Sequence, residues 1–230
     1  MIPVIVNVFA VPDRAALACE VKRDHEAAQL EVRLWLDRER RGINWNCQRA
    51  YRAAEADPGN PWHLFLDDDV RYHPDTPRLI PQILNACEAD LACLYAAHAA
   101  HRRPEDPSPW ITCDAVWGAA YALRRRAVTT VITAGVKVGS QAGRYGTDGL
   151  VMACSRAGMI SGGWGVGPET LYGERPVAST LGHSATFIKG HHAEAGDPHR
   201  AWDVPPTRRC NAAPGAVTKR LTAVLEGYTP

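Results

Sequence analysis

Apolar and polar positions follow two rhythms over the first hundred residues. Residues 3–10, PVIVNVFA, are a nearly continuous apolar run, the pattern of a strand covered on both faces. After a turn at VPDR, residues 15–28 take on helical character. Residues 31–37, EVRLWLD, predict a second strand, and after a charged loop, RERRGIN, residues 45–56 predict a helix that ends before Asp57-Pro58-Gly59. Residues 62–69, WHLFLDDD, predict a third strand. Residues 77–89 predict a helix opened by proline, and residues 90–97 a fourth strand. This β-α-β-α-β-α-β alternation predicts an α/β fold built on a mostly parallel sheet flanked by helices. Ligands of such sheets bind beyond the carboxyl ends of the strands.

The second half is less regular. A proline-rich polar loop leads into residues 111–135, which predict a strand or two and then a helix from about Arg124. Residues 145–158 predict a helix capped by Thr147 and stopped at Gly158. Six glycines between Gly158 and Gly173 predict a mobile loop carrying Trp164 and Tyr172. Residues 176–186 read as a last strand. Beyond residue 190 the chain is a polar, proline-rich extension with a helix-like stretch at 216–227.

A chain of 230 residues has room for one domain with an ample core. Its formal net charge of +1 excludes strong steering of the whole molecule toward nucleic acid or membrane, while leaving local basic faces open. The N-terminus lacks a basic n-region and breaks at Pro12, and no apolar run approaches the roughly 18 residues of a membrane span. Seven cysteines, an odd number without a C-x-x-C pair, predict free buried thiols in a reducing compartment. A cytoplasmic protein is expected.

The chemistry gathers at Asp67, Asp68 and Asp69, where an apolar strand runs into three carboxylates. If the strand persists, Asp67 and Asp69 point one way and Asp68 the other. Paired oxygen donors suit Mn²⁺ or Mg²⁺, and a divalent ion there would offset charge on a departing diphosphate. The plainer reading is an acidic strand end that caps a helix or meets arginines. A metal-dependent phosphoryl or nucleotidyl transferase would use the same pair, but the chain has no G-x-x-x-x-G-K-[ST] phosphate loop. A non-catalytic polyanion-binding module is a further alternative. It would rest on the basic runs 102–103, 124–126, 208–209 and 219–220, with aromatics interspersed.

The β-α-β-α start followed by HLFLDDDV resembles nucleotide-sugar-dependent glycosyltransferases of the GT-A fold, compact examples of which occur in bacteria and their phages. AVWGAAYALRR (115–125), YGTDGLV (145–151) and STLGHSAT (179–186) resemble, in order, the family's acceptor-side segment, its later acidic motif and its late metal-binding strand. The resemblance covers residues 1–190. It implies a single GT-A catalytic domain, with a nucleotide-sugar half at 1–100 and a smaller acceptor half at 101–190.

The resemblance also implies roles for individual residues. Asp67, Asp69 and His183 would hold Mn²⁺ (or Mg²⁺). Asp67 and Asp68, with Asp13, Arg14 and Asp37 at the first two strand ends, would bind the donor. Trp164 would close over the sugar as a lid. Asp148 would be the base of an inverting transfer, although the chain has Thr-Asp where the family often has Glu-Asp. Trp117, Gly118, Tyr121, Arg124 and Arg125 would form the acceptor side. The implied partners are a nucleotide-sugar donor and a macromolecular acceptor, with a 5-hydroxymethylpyrimidine in DNA first and a protein side chain second. For a phage-encoded member the site of action would be the host cytoplasm.

Overall fold

The computed structural model describes residues 2–68, 70, 76–94, 110–112, 120–138, 142–161 and 163–166. The elements are strand β1 (Val4–Ala10), helix α1 (Ala15–Ala27), β2 (Glu31–Leu36), α2 (Ile43–Ala56), β3 (Trp62–Asp67), α3 (Thr76–Ala86), β4 (Leu91–Cys93), β5 (Trp110–Thr112), β6 (Ala120–Arg124), α4 (Arg125–Val138), α5 (Ala142–Arg156) and β7 (Gly163–Val166). The seven strands make one sheet in the order β2-β1-β3-β6-β4-β7-β5. β1 pairs in parallel with β2 and β3, and β4 in parallel with β7. β6 runs antiparallel to both β3 and β4, and β5 antiparallel to β7. Five strands therefore share one direction and two oppose it.

Alternation along the central strands sorts side chains into two cores. Val4, Val6 and Val8 of β1, Leu64 and Leu66 of β3 and Ala122 of β6 face α1 and α3, through Ala18, Val21, Ile80 and Leu84. Phe9, Phe65, Tyr121 and Leu123 face the other way, onto α2, α4 and α5. The chain is thus a three-layer α/β structure, with strands buried on both faces where the apolar runs were continuous. Among the described residues no helix is long and apolar enough to cross a membrane.

The predicted helix ends hold where a left-handed residue closes them. Gln29 (φ 64°) follows α1, and the amides of Leu30 and Gln29 bond back to His25 and Glu26. Gly158 (φ 70°) follows α5, and the amides of Met159 and Gly158 reach Cys154 and Ser155. At the start of the sheet, the Asn85 side chain on α3 holds both backbone groups of Ile2. Oδ1 accepts from the Ile2 amide at 2.8 Å, and Nδ2 donates to its carbonyl at 3.2 Å.

Three expectations change. β3 ends at Asp67, short of its expected length, and the Val70 amide closes a turn onto the Asp67 carbonyl at 3.4 Å. α5 begins at Ala142 rather than at Thr147 and runs through Gly146, which leaves Asp148 inside the helix instead of at its N-terminus. Residues 163–166 form β7, paired on both sides, where a glycine-rich loop was expected. β6, from the second half of the chain, lies between β3 and β4 in the same sheet. The strand predicted at 176–186 and the extension beyond residue 190 lie outside the described residues.

Candidate functional site at the strand ends

The connection after β1 leaves toward the face covered by α1, and the one after β2 toward the opposite face, covered by α2. Where neighbouring strands send their chains to opposite faces, a crevice opens at their carboxyl ends. A cleft of about 280 Å³ lies there, lined by Phe9, Ala10, Val11, Arg14, Asp37, Ile43, Asn46, Asp67 and Asp68. Four of the sequence-predicted residues, Arg14, Asp37, Asp67 and Asp68, thus come together from three strand ends.

Their environments differ. Asp37 is 1% exposed. Its two carboxylate oxygens accept from the amides of Arg41 (3.0 Å) and Gly42 (2.7 Å), which fixes the loop that starts α2. Gly42 sits at φ 101°, in a region that L side chains rarely adopt. Asp68 is 3% exposed and forms an ion pair with Arg14, itself largely buried. The arginine-paired reading of the acidic strand end therefore holds for Asp68. Asp67 ends β3 half-buried, in register with Phe9 and on the same face as Phe65. Asp13 lies away from the cleft lining, in an exposed pair with Arg40 at 2.8 Å.

Behind Asp67 on that face, the Tyr51 hydroxyl of α2 meets the Tyr121 hydroxyl of β6 at 2.6 Å, both rings buried against Phe65. Burial drives both phenol pKa values well above 10, and the nearby Asp148 charge adds to the rise. Asp148 is half-buried on α5, with Oδ1 accepting from the Gly149 amide at 2.9 Å. Asp67 and Asp148 thus belong to the same side of the sheet. Tyr121 is a core residue, not part of an acceptor surface.

Arg124 and Arg125 are also displaced from the expected acceptor side. Arg124 pairs in register with Trp62, at the amino end of β3, about 17 Å along the strand from Asp67. Its guanidinium stacks over the Trp62 ring at 4.5 Å and donates to the Cys87 carbonyl. Arg125 donates to the carbonyls of Glu55 and Gly59, and Arg126 pairs with Asp90 at 2.6 Å. This triplet ties loops together at the far end of the sheet and does not border the cleft. Trp164 is fixed in β7, opposite Ala92 and Thr112, so it is not on a lid loop.

Asp69, Trp117, Gly118 and His183 lie outside the described residues. Among the described residues no three His, Cys, Asp or Glu side chains gather as a cation site. Of the cleft carboxylates Asp67 is the half-buried one, and a carboxylate is a donor type that suits a hard divalent ion.

Ile43 and Asn46 line the cleft without having been read as site residues. Ile43 is 51% exposed at the first position of α2, an uncovered apolar side chain at a helix start. Asn46 donates to the Trp35 carbonyl, which ties α2 to β2. The signal for both was the sequence GINWN at the start of α2, after the charged loop that follows β2. Neither a family model nor a curated protein matches this chain.

Proposed function

We propose that the chain is a metal-dependent glycosyltransferase of the GT-A type, moving a sugar from a nucleotide-sugar donor to an acceptor hydroxyl. The carrying observation is the cleft at the carboxyl ends of β1, β2 and β3, with Asp67 and Asp68 in its lining. A cleft that mixes an apolar wall (Phe9, Ala10, Val11, Ile43) with carboxylates and one arginine suits a ligand with a flat base, hydroxyls and a charged tail. In this reading Asp67, Asp69 and His183 hold Mn²⁺ or Mg²⁺. When bound, such a cation supplies positive charge against the leaving diphosphate. Asp37 orders the loop beside the ribose. Arg14 is held by Asp68 near the phosphates. Asp148, on the Asp67 side of the sheet, takes the acceptor proton.

The test is incubation of the purified chain with Mn²⁺ and a panel of nucleotide sugars, with release of nucleoside diphosphate as the readout. One donor should be hydrolysed, and Asp67→Ala and Asp69→Ala should abolish that release in a folded protein. Asp148→Asn should bind the donor with unchanged affinity by calorimetry and turn over ~10²–10⁴ more slowly, the usual loss when a general base is removed. A chain that neither binds nor cleaves any donor, or an Asp67→Ala variant as active as its parent, would overturn the proposal.

A further inference from the structure

The outer side of α2 carries an alternating stack of indoles and guanidiniums. The Arg49 guanidinium lies 5.4 Å from the Trp35 ring and 4.7 Å from the Trp45 ring, and Arg41 covers Trp45 at 4.9 Å. Trp35 is anchored by its indole N–H, which donates to Asn7 at 3.0 Å. Charge concentrates around this stack. Residues 38–52 contain five arginines (38, 40, 41, 49 and 52) and one acid, Glu39, a net +4 in a chain whose total is +1. All five arginines are exposed. Two of them have acidic neighbours, Arg40 with Asp13 and Arg41 with Glu39 at 3.3 Å, but these are open pairs with arginine side chains 63% and 55% exposed. Such pairs are weak and yield to a competing anion. The N-terminus of α2 adds its own positive end to the same region. Ile43, at the cleft lip, is the next exposed feature along.

We infer that this face of α2 docks a single-stranded nucleic acid. Flat cationic and aromatic surfaces in alternation match stacked bases, and the flanking arginines match a phosphate every nucleotide. A protein partner of acidic character would use the charge but would have no need of half-buried indoles interleaved with the guanidiniums. Delivery of a nucleotide to the cleft rests on the transferase reading. The docking itself does not.

The experiment measures binding of a fluorescein-labelled single-stranded oligonucleotide of about 12 nucleotides, within the usual range of such sites. Fluorescence anisotropy is followed from ~50 to ~200 mM salt. Three phosphate contacts predict a log–log slope near −2, at about −0.7 per contact for a single strand. The triple variant Arg38→Gln/Arg41→Gln/Arg52→Gln should lose about tenfold or more in affinity and flatten that slope. The charge-matched control Arg23→Gln/Arg78→Gln/Arg156→Gln should not. Trp45→Ala should weaken binding about tenfold through the lost stack. Donor hydrolysis should be the same in all of these variants. The inference fails if the two triple variants bind alike. It also fails if Trp45→Ala is silent and heparin competes as well as the oligonucleotide does, because the face then reads charge alone. Oligonucleotide binding without hydrolysis of any donor would sink the transferase reading and leave the docking face standing.

Discussion

His63 is uncharged at neutral pH although Asp57 lies 3.5 Å from its Nε2. The imidazole is buried in β3, and loss of water outweighs the carboxylate, which Arg33 already holds through two bonds of 2.7 and 2.9 Å. The pKa is pushed down to about 4. The unfolded chain takes up this proton near pH 6.5, so His63 lends stability that is full above that value and drains away as pH falls toward 4. The shift of roughly 2.5 units corresponds to about 3 kcal/mol. Urea unfolding at pH 7 and pH 4 should show the parent losing about that much more stability than His63→Phe, in which the proton-linked group is gone. Parallel losses would assign the acid sensitivity elsewhere. At this scale the sequence exposed the carboxylates, because a run of acids after an apolar strand has few reasons to exist. It did not expose their partners. Nothing local indicates that Arg14 closes on Asp68 while Arg124 turns its charge to a backbone carbonyl 37 residues away in sequence.

At the scale of the element, the start of α2 depends on one side chain. Asp37 accepts two amides of the loop that follows β2, and Gly42, which has no side chain to cap with, stands at the cap position of the helix. Asp37→Ala should remove two charge-assisted bonds and cost about 2–4 kcal/mol, with the loss concentrated in faster amide exchange across residues 38–46. Uniform exchange across the sheet would show that the loop is held by other means. The β-α alternation of the first hundred residues was legible because each element carries its own period and its own breaker. α5 was misplaced because Gly146, a weak helix former, lies within it rather than before it. β7 was missed because Gly163, Trp164, Gly165 and Val166 become a strand through neighbours on both sides, a stabilisation that no local preference records.

For the whole molecule, the antiparallel insertion of β6 between β3 and β4 was beyond local reading, since it joins segments about 60 residues apart. The cleft was legible in outline only because alternation alone places sites at strand ends. Burial of the thiols is also a property of the whole. Among the described residues Cys47, Cys87, Cys93 and Cys154 are buried and Cys19 is exposed, all of them thiols outside any disulfide. Desolvation pushes Cys87 up to about 11 and Cys154 up to about 12, so neither offers a thiolate at neutral pH. Brief alkylation of the native protein, mapped by mass spectrometry, should mark Cys19 and spare those four until denaturant is added. Early labelling of Cys154 would mean that the core under α5 opens on its own.

The grip of Asn85 on both backbone groups of Ile2 bears on how the molecule is handled. It pins the point where the chain enters the sheet to the edge remote from the cleft, about 20 Å along β1. A biotin or a surface linker joined ahead of that residue is therefore anchored to α3 as well as to the strand. Chains immobilised in this way are held at the end of β1 opposite the cleft.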